Sequence, residues 1–332
     1  MTDWRVFEGT NKPHDGVNHM PDPPPWRPMR AQAPMADRII PMDDQLSPKT
    51  RHIGLTYQSA PEIIDMVNAA LLLRRPLLVT GKPGSGKSSL IDAVAFELRL
   101  GEPLRWPIGS NSNLQDALYR YDAIGRLQDA QRGGAAEKPI SGYLRLGPLG
   151  TALVPTRRPR ALLIDEIDKS DIDLPNDLLN VLEEGVFEIP ELNRLPEDDH
   201  QLRLHGQAGG LAVVHKGQVA VHQFPFVVMT SNGERDFPQA FLRRCLRLDM
   251  PDPCADPERL AAVVGAHLKA YLEARPLYAG KVDASIQAFA ERAQRGEALA
   301  TDQLLNLIFM LAGPVGDRDH DAVSQAVTRR LD

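Results

Sequence analysis

The hydrophobic pattern of the chain changes character twice. Residues 1–58 show no sustained apolar periodicity and are rich in proline, densest at Pro21-Asp22-Pro23-Pro24-Pro25-Trp26-Arg27-Pro28. Such a run favours polyproline II. The segment reads as an extended leader that packs Trp4, Phe7 and Trp26 on its own domain, or as a strap over a neighbouring subunit. From Ser59 onward Ile63, Ile64, Val67, Ala70 and Leu71 recur at helical spacing, with Ser59 as N-cap and Pro61 and Glu62 in the first turn. Short apolar runs at 77–80, 104–108, 160–166, 226–232 and 246–248 then alternate with helical segments. Parallel strands covered on both faces have this composition.

Leu90, Val94 and Leu98 mark the helix after the first strand, stopped by Gly101, and Leu174, Leu178 and Leu182 mark another, stopped near Gly185. Between residues 186 and 222, β-prone pieces such as Phe187-Glu188-Ile189 and residues 211–214 predict hairpins. The stretch 109–155 is less regular, with a flexible tip at Gln131-Arg132-Gly133-Gly134; a long excursion of that kind is usually functional. After Pro251-Asp252-Pro253 the pattern is purely helical. Helices start at Asp256, Asp283 and Thr301, the third ended by Gly313-Pro314, and a fourth is expected over about residues 319–331. The expected fold is α/β: a Pro-rich extension at 1–58, a parallel-sheet αβα core at 59–250, and a small α-helical domain at 251–332.

Composition narrows the function classes. A hydrophobic content of 42% and a charged content of 25% are those of a soluble globular protein. The net charge of −6 gives no global attraction to nucleic acid or anionic membrane, so neither is an expected partner. Cys245 and Cys254 cannot form a disulfide framework, and no apolar run approaches the ~18 residues of a membrane span. The expected location is the cytoplasm. His200, His205, His215 and His222 crowd one region without the paired spacing of a zinc site. Arg157-Arg158-Pro159-Arg160 reads as a basic loop ahead of a strand.

The chemistry is concentrated at Gly81-Lys82-Pro83-Gly84-Ser85-Gly86-Lys87-Ser88, between an apolar strand and the helix that opens at Ser89. Strand, glycine-rich loop and helix in that order form the phosphate-cradling loop. Its glycines let backbone N–H groups converge on phosphate oxygens, and the helix N-terminus adds partial positive charge. Residues 81–89 are therefore the candidate nucleotide cradle. Lys87 is placed to reach the β- and γ-phosphates, and Ser88 to ligate Mg²⁺. Asp165 and Glu166 end a buried strand, where an acid sits beside the phosphates: Asp165 to hold Mg²⁺ through water or Ser88, and Glu166 to polarise the attacking water. Asn232, at the end of the next core strand, can donate to the γ-phosphate or orient that water. Arg243 and Arg244 precede the last strand. They would lie far from their own phosphate loop, so a catalytic role requires donation to a neighbouring subunit.

These stretches together, with Phe237-Pro238-Gln239-Ala240-Phe241-Leu242-Arg243-Arg244 and Leu162–Asp168, resemble the AAA+ ATPases. The MoxR-like branch, close to the dynein-related AAA+ group, is the nearest match, over about residues 59–313. The resemblance makes residues 81–88 Walker A, Asp165-Glu166 Walker B and Asn232 sensor 1. Arg244 matches the arginine of the family's L-x-R element, with Arg243 next to it. It implies ATP and Mg²⁺, a homo-oligomeric ring, most often a hexamer, and chaperone-like remodelling of a protein partner, often one with a von Willebrand factor A domain. Residues 109–155 would be the branch's helix-2 insert and residues 200–222 its hairpin, both facing the pore. The chain departs from the family at Thr301-Asp302-Gln303, where a lid arginine is usual. Two other readings stand beside this one: a DNA-directed motor of the restriction type, using ATP or GTP, and a slow nucleotide-gated scaffold in a signalling or defence assembly.

Overall fold

The computed structural model describes residues 4–27, 38–131, 139–207, 210–297, 299–313 and 327. The chain begins its regular structure with helices α1 (Pro48–Thr56) and α2 (Pro61–Leu73), then strand β1 (Leu77–Thr80) and helix α3 (Ser89–Glu97). Strand β2 (Leu104–Pro107) leads into an insert of α4 (Leu114–Leu118), β3 (Tyr119–Tyr121), α5 (Ala123–Gln131), β4 (Leu144–Leu146) and α6 (Pro148–Ala152). Next come β5 (Ala161–Asp165), α7 (Leu174–Glu184), β6 (Val186–Glu188), α8 (Pro190–Asn193), β7 (Asp199–Arg203), β8 (Leu211–His215) and β9 (Gln218–Ala220). Strand β10 (Phe226–Ser231), helix α9 (Gln239–Leu242) and strand β11 (Leu246–Asp249) complete the core, and helices α10 (Pro257–Glu273), α11 (Ala279–Gln294) and α12 (Thr301–Leu311) follow.

Five strands form a parallel sheet in the order β11-β1-β10-β5-β2. Alternation of side chains along each strand sends residues to two opposite cores. Leu77 and Val79, Ala161 and Leu163, Phe226 and Val228 pack with Ile63 and Val67 of α2 and Leu90 and Val94 of α3. Leu78, Leu162, Ile164, Val227 and Met229 pack on the other face with the insert and α7. The result is an αβα layering in which every central strand is covered twice, as the unbroken apolar runs require. Strand order reverses at β1, which sits between β11 and β10, so the carboxyl ends of β1, β5 and β10 open on one crevice.

A second, six-stranded sheet runs β3-β4-β7-β8-β9-β6 and shares the core of Leu78 through Leu144, Leu146, Leu202, Ala212 and Val214. It joins the 109–155 insert to the 200–222 hairpin through a single parallel pairing, Arg145 with Arg203. The three last helices gather around Leu260, Val264, Ile286, Phe289, Leu304 and Ile308. Among the described residues no helix is long and apolar enough to cross a membrane.

Several boundaries shift from expectation. Helix α2 starts at Pro61 with Ala60, not Ser59, at the N-cap position. Helix α11 starts at Ala279, four residues ahead of Asp283, because the turn at Pro276–Tyr278 feeds straight into it. The expected helix over residues 319–331 lies outside the described residues, as does most of the tip at 131–134. Within the leader, Phe7 is buried (1% exposed) beside β1 and α2, whereas Trp4 and Trp26 are 51% and 78% exposed. Of the three aromatics expected to pack on the domain, only Phe7 does.

Candidate functional site

The loop between β1 and α3 turns through Gly84 (φ 75°) and Gly86 (φ 87°), a left-handed region that favours glycine. Gly84 is also pressed by Ala300, whose Cβ lies 2.4 Å from where a Cβ at 84 would stand, so the helical domain rests directly on the loop. Lys87 is buried, and its Nζ donates to the carbonyls of Gly81 (2.7 Å) and Lys82 (2.9 Å). Desolvation lowers its pKa, while Asp165, Asp168 and Glu166 pull the other way. Ser85 Oγ is buried with no hydrogen-bond partner among the described residues. Lys82 points away from the loop's hollow and pairs with Asp252 (2.8 Å), a hydrogen bond that raises its pKa. Pro83 is exposed and Ser89 lies half-buried at the start of α3.

The carboxyl ends of β5 and β10 bring the acids to this loop. Ser88 Oγ donates to Asp165 Oδ1 at 2.7 Å, and Thr230 Oγ1 donates to the same oxygen at 2.6 Å. Thr230 Oγ1 also accepts the backbone N–H of Glu166 at 2.9 Å. Glu166 has φ 61°, a left-handed turn that ends the strand and swings its carboxylate off the sheet. Its Oε1 lies 3.4 Å from Asn232 Nδ2, and its Oε2 accepts from Lys169 Nζ at 2.8 Å, a bond that raises the lysine's pKa. Asp168 is buried, and its Oδ2 accepts the backbone N–H groups of Asn232 (3.0 Å) and Glu234 (3.1 Å). Lys87, Ser88, Asp165, Glu166 and Asn232 thus meet at one place. Thr230 and Asp168 belong there too, although sequence reasoning gave them no role. For Thr230 the signal is strand register, with Met229 beside Ile164 and hence Thr230 level with Asp165, which a single sequence does not show; Asp168 stood in the stretch that resembles the family, with no role attached.

Arg243 and Arg244 are placed elsewhere. They follow α9 and precede β11, whose Leu246 pairs with Leu77 at the opposite end of β1 from the loop. Four residues of strand separate Leu77 from Gly81, roughly 13 Å at about 3.3 Å per residue. Arg75 donates to the carbonyls of both arginines, and Arg244 Nε lies 3.3 Å from Glu183 Oε1. The expectation that they lie far from their own loop agrees with this geometry.

A cavity of about 170 Å³ adjoins the loop, bounded by Gly84, Ser85 and Gly86 on one side and by Tyr57, Arg259 and Val263 on others. Tyr57 is close enough that a Cβ at Gly86 would stand 3.5 Å from its ring. Thr301 and Asp302 line the cavity, whereas Gln303 turns back and its Oε1 accepts the N–H of Ala300 at 3.0 Å. Of the three arginines in the basic loop, Arg157 is exposed and the other two are engaged or buried. Arg160 is 3% exposed, with burial pulling its pKa to about 10, and Arg158 pairs with Asp44. His200 is buried and His215 pairs with Asp199 at 2.8 Å.

Among solved structures, NtrX from Brucella abortus in complex with ADP is 14% identical, covering 84% of this chain and 56% of that one, with a TM-score of 0.43. A lysine-to-arginine mutant of Thermotoga maritima RuvB is 16% identical, covering 80% of this chain and 67% of that one, with a TM-score of 0.41. This chain spans little more than half the length of the NtrX chain. No curated protein matches the sequence. Residues 76–245, more than half of the chain, match the family model described as AAA domain, dynein-related subfamily, and the chain belongs to that family.

Proposed function

We propose that this chain hydrolyses ATP with Mg²⁺ at sites shared between the subunits of a homo-oligomeric ring, a hexamer, and that it remodels a protein partner in the manner of a MoxR-like ATPase. The observation that carries the reading is the junction of Ser88, Asp165 and Thr230, set beside a buried Lys87 and a glycine-rich loop. Hydroxyl and carboxylate oxygens are the hard donors that Mg²⁺ takes, one or two from the protein and the rest from phosphate and water. The unpartnered Ser85 hydroxyl and the loop's N–H groups suit an anion. When bound, Mg²⁺ held by Ser88 and Asp165 would neutralise negative charge on the phosphates.

The protein's own groups supply the remaining steps. Lys87 Nζ exchanges the carbonyls of Gly81 and Lys82 for β- and γ-phosphate oxygens of the substrate. Glu166 accepts a proton from the attacking water, and Asn232, 3.4 Å from it, orients that water. Arg244, with Arg243 beside it, completes the site of a neighbouring subunit. Residues 81–89 cradle the phosphates, and the cavity walled by Tyr57, Ile63, Val263 and His267 takes the base. The lid lacks an arginine at 303, yet Arg259 from α10 faces the same cavity and supplies a cation from another helix. A protein partner with a von Willebrand factor A domain follows from the family resemblance.

One observation favours a second reading, the slow nucleotide-gated scaffold. Lys169 Nζ donates to Glu166 Oε2 at 2.8 Å, so one of the two carboxylate oxygens is already engaged. Turnover separates the two. We expect the ATPase rate per subunit, measured with Mg²⁺ against protein concentration and alongside particle mass, to rise steeply as a ring forms. A flat and very slow rate at all concentrations supports the scaffold instead.

A further inference from the structure

Residues 4–20 precede the stretch that the family model matches, and two buried side chains fasten them to the nucleotide-binding core. Glu97, the last residue of α3 and 1% exposed, accepts the backbone N–H groups of Glu8 (2.7 Å), Gly9 (2.9 Å) and Asn11 (2.9 Å). Asn68 on α2, fully buried, accepts from the N–H groups of Val6 (2.6 Å) and Phe7 (2.9 Å) and donates to the carbonyl of Phe7 (2.7 Å). Buried polar groups of this kind hold their place only while their partners are present. The leader is therefore built into the domain along this stretch.

The clasp reaches the cavity at Asn11. Its backbone is left-handed (φ 57°), a conformation asparagine tolerates better than most residues. Its side-chain amide donates two bonds, to the carbonyls of Leu55 (3.1 Å) and Tyr57 (2.9 Å). Those carbonyls belong to the end of α1, and Thr56, Tyr57 and Gln58 form one wall of the cavity beside Gly84, Ser85 and Gly86. Tyr57 OH meets Met250 Sδ at 3.8 Å across the cavity floor. Asn11 thus joins a wall of the cavity to a leader that is itself anchored on α3, the helix that carries the phosphate loop.

We infer that Asn11 is a positioning residue of the nucleotide pocket: by fixing the Leu55–Tyr57 backbone it preorganises Tyr57 and Gln58 against the nucleotide, so that the leader sets nucleotide affinity. This rests on the ATP-binding reading above. A wall held before binding does not have to be ordered during binding, and the difference appears in affinity and not in the chemical step. None of Asn11's hydrogen bonds, to Glu97, Leu55 and Tyr57, involves Glu166 or Asp165, so the bonds that hold the acids do not depend on the clasp.

The test uses the full chain and a fluorescent ATP analogue. Asn11→Gly keeps the left-handed backbone accessible and removes only the amide; Asn11→Asp keeps shape and turns a donor into an acceptor facing two carbonyls. Both variants are expected to raise Kd and KM about tenfold, with kcat within a factor of two and the melting temperature nearly unchanged. Arg5→Ala, which breaks the leader's ion pair with Asp65, serves as the control with unaltered Kd. Unchanged Kd in both Asn11 variants overturns the inference while leaving ATP binding intact. A loss that Arg5→Ala shares, or one that tracks a lowered melting temperature, overturns it too, since the effect is then general stability. Absence of binding in the unaltered protein defeats the nucleotide reading itself, and the inference with it.

Discussion

Thr230 joins two acids through a single hydroxyl, which donates to Asp165 Oδ1 and accepts from the backbone of Glu166. Because the oxygen is shared, the relative placement of Asp165 and Glu166, the carboxylates proposed to hold the metal and to activate water, depends on Thr230. Thr230→Val conserves shape and β-branching while removing both bonds, and it leaves the partly buried N–H of Glu166 without its acceptor. Hydrogen bonds to charged groups are worth ~1.5–3 kcal/mol. If that loss falls on the transition state, kcat drops about tenfold to a hundredfold. Affinity for ATP, held mainly by the loop and Lys87, should stay within about threefold. Steady-state turnover measured with equilibrium nucleotide binding checks this, and equal losses in both would assign Thr230 to folding. Lys87→Ala, by contrast, should lose nucleotide binding itself, since Nζ is the buried cation of the loop.

At the scale of elements, α12 shows how a local bond decides what a position can do. Gln303 reaches back to the N–H of Ala300 and helps close the first turn, while Thr301 and Asp302 are the residues that face the cavity. An arginine introduced at 303 therefore gives up a helix-end bond worth ~0.5–2 kcal/mol without gaining a line to the phosphates. Gln303→Arg should lower the melting temperature by a few degrees and leave ATP affinity unimproved; a clear gain in affinity would show that the lid can turn α12 toward the loop. The sequence announced the central strands β1, β5 and β10 because each is an apolar run covered on both faces, and Asp165 and Glu166 because they end such a run; β2 and β11, at the edges, showed as runs broken by charge. It did not announce α1, whose Leu55 is exposed and which is held instead by polar and steric contacts. Thr50 Oγ1 lies 2.9 Å from both Asp92 Oδ1 and Glu102 Oε1 and shares its one proton between them, and Gly54 allows an approach to Phe96 that a Cβ would block. The second sheet was legible only in part, at the hairpin pieces that became β6 and β8. Strands of three residues carry no readable period, and the β4–β7 pairing joins residues far apart in the chain.

At the scale of the whole molecule, the proposed mechanism takes one residue from a second subunit. The groups gathered at the carboxyl ends of β1, β5 and β10 are those proposed to bind, to orient or to accept protons. Among the described residues that line the cavity, Arg259 of α10 carries the one guanidinium. Arg244 stands at the other end of the sheet, held to Glu183 at 3.3 Å and with its carbonyl fixed by Arg75. It is half-buried, so its charge reaches outward only if a partner surface meets it there. A ring built by a head-to-tail contact places unlike faces together, which would set the Arg244 end of one subunit against the crevice of the next. Charge that develops on the transferred phosphoryl group is where such an arginine acts, with little effect on ground-state binding. Arg244→Ala should therefore abolish most turnover, by about a thousandfold for a residue in this role, while ATP affinity and ring mass stay nearly unchanged. Mixed with Glu166→Gln subunits, which retain the arginine and lack the base, it should regain partial activity, because some interfaces then pair an intact Glu166 with an intact Arg244. Full activity in the purified Arg244→Ala protein would sink the shared-site reading. If it and Glu166→Gln are both inactive alone and the mixture stays inactive, with mixed rings seen by mass, Arg244 and Glu166 do not meet across the interface.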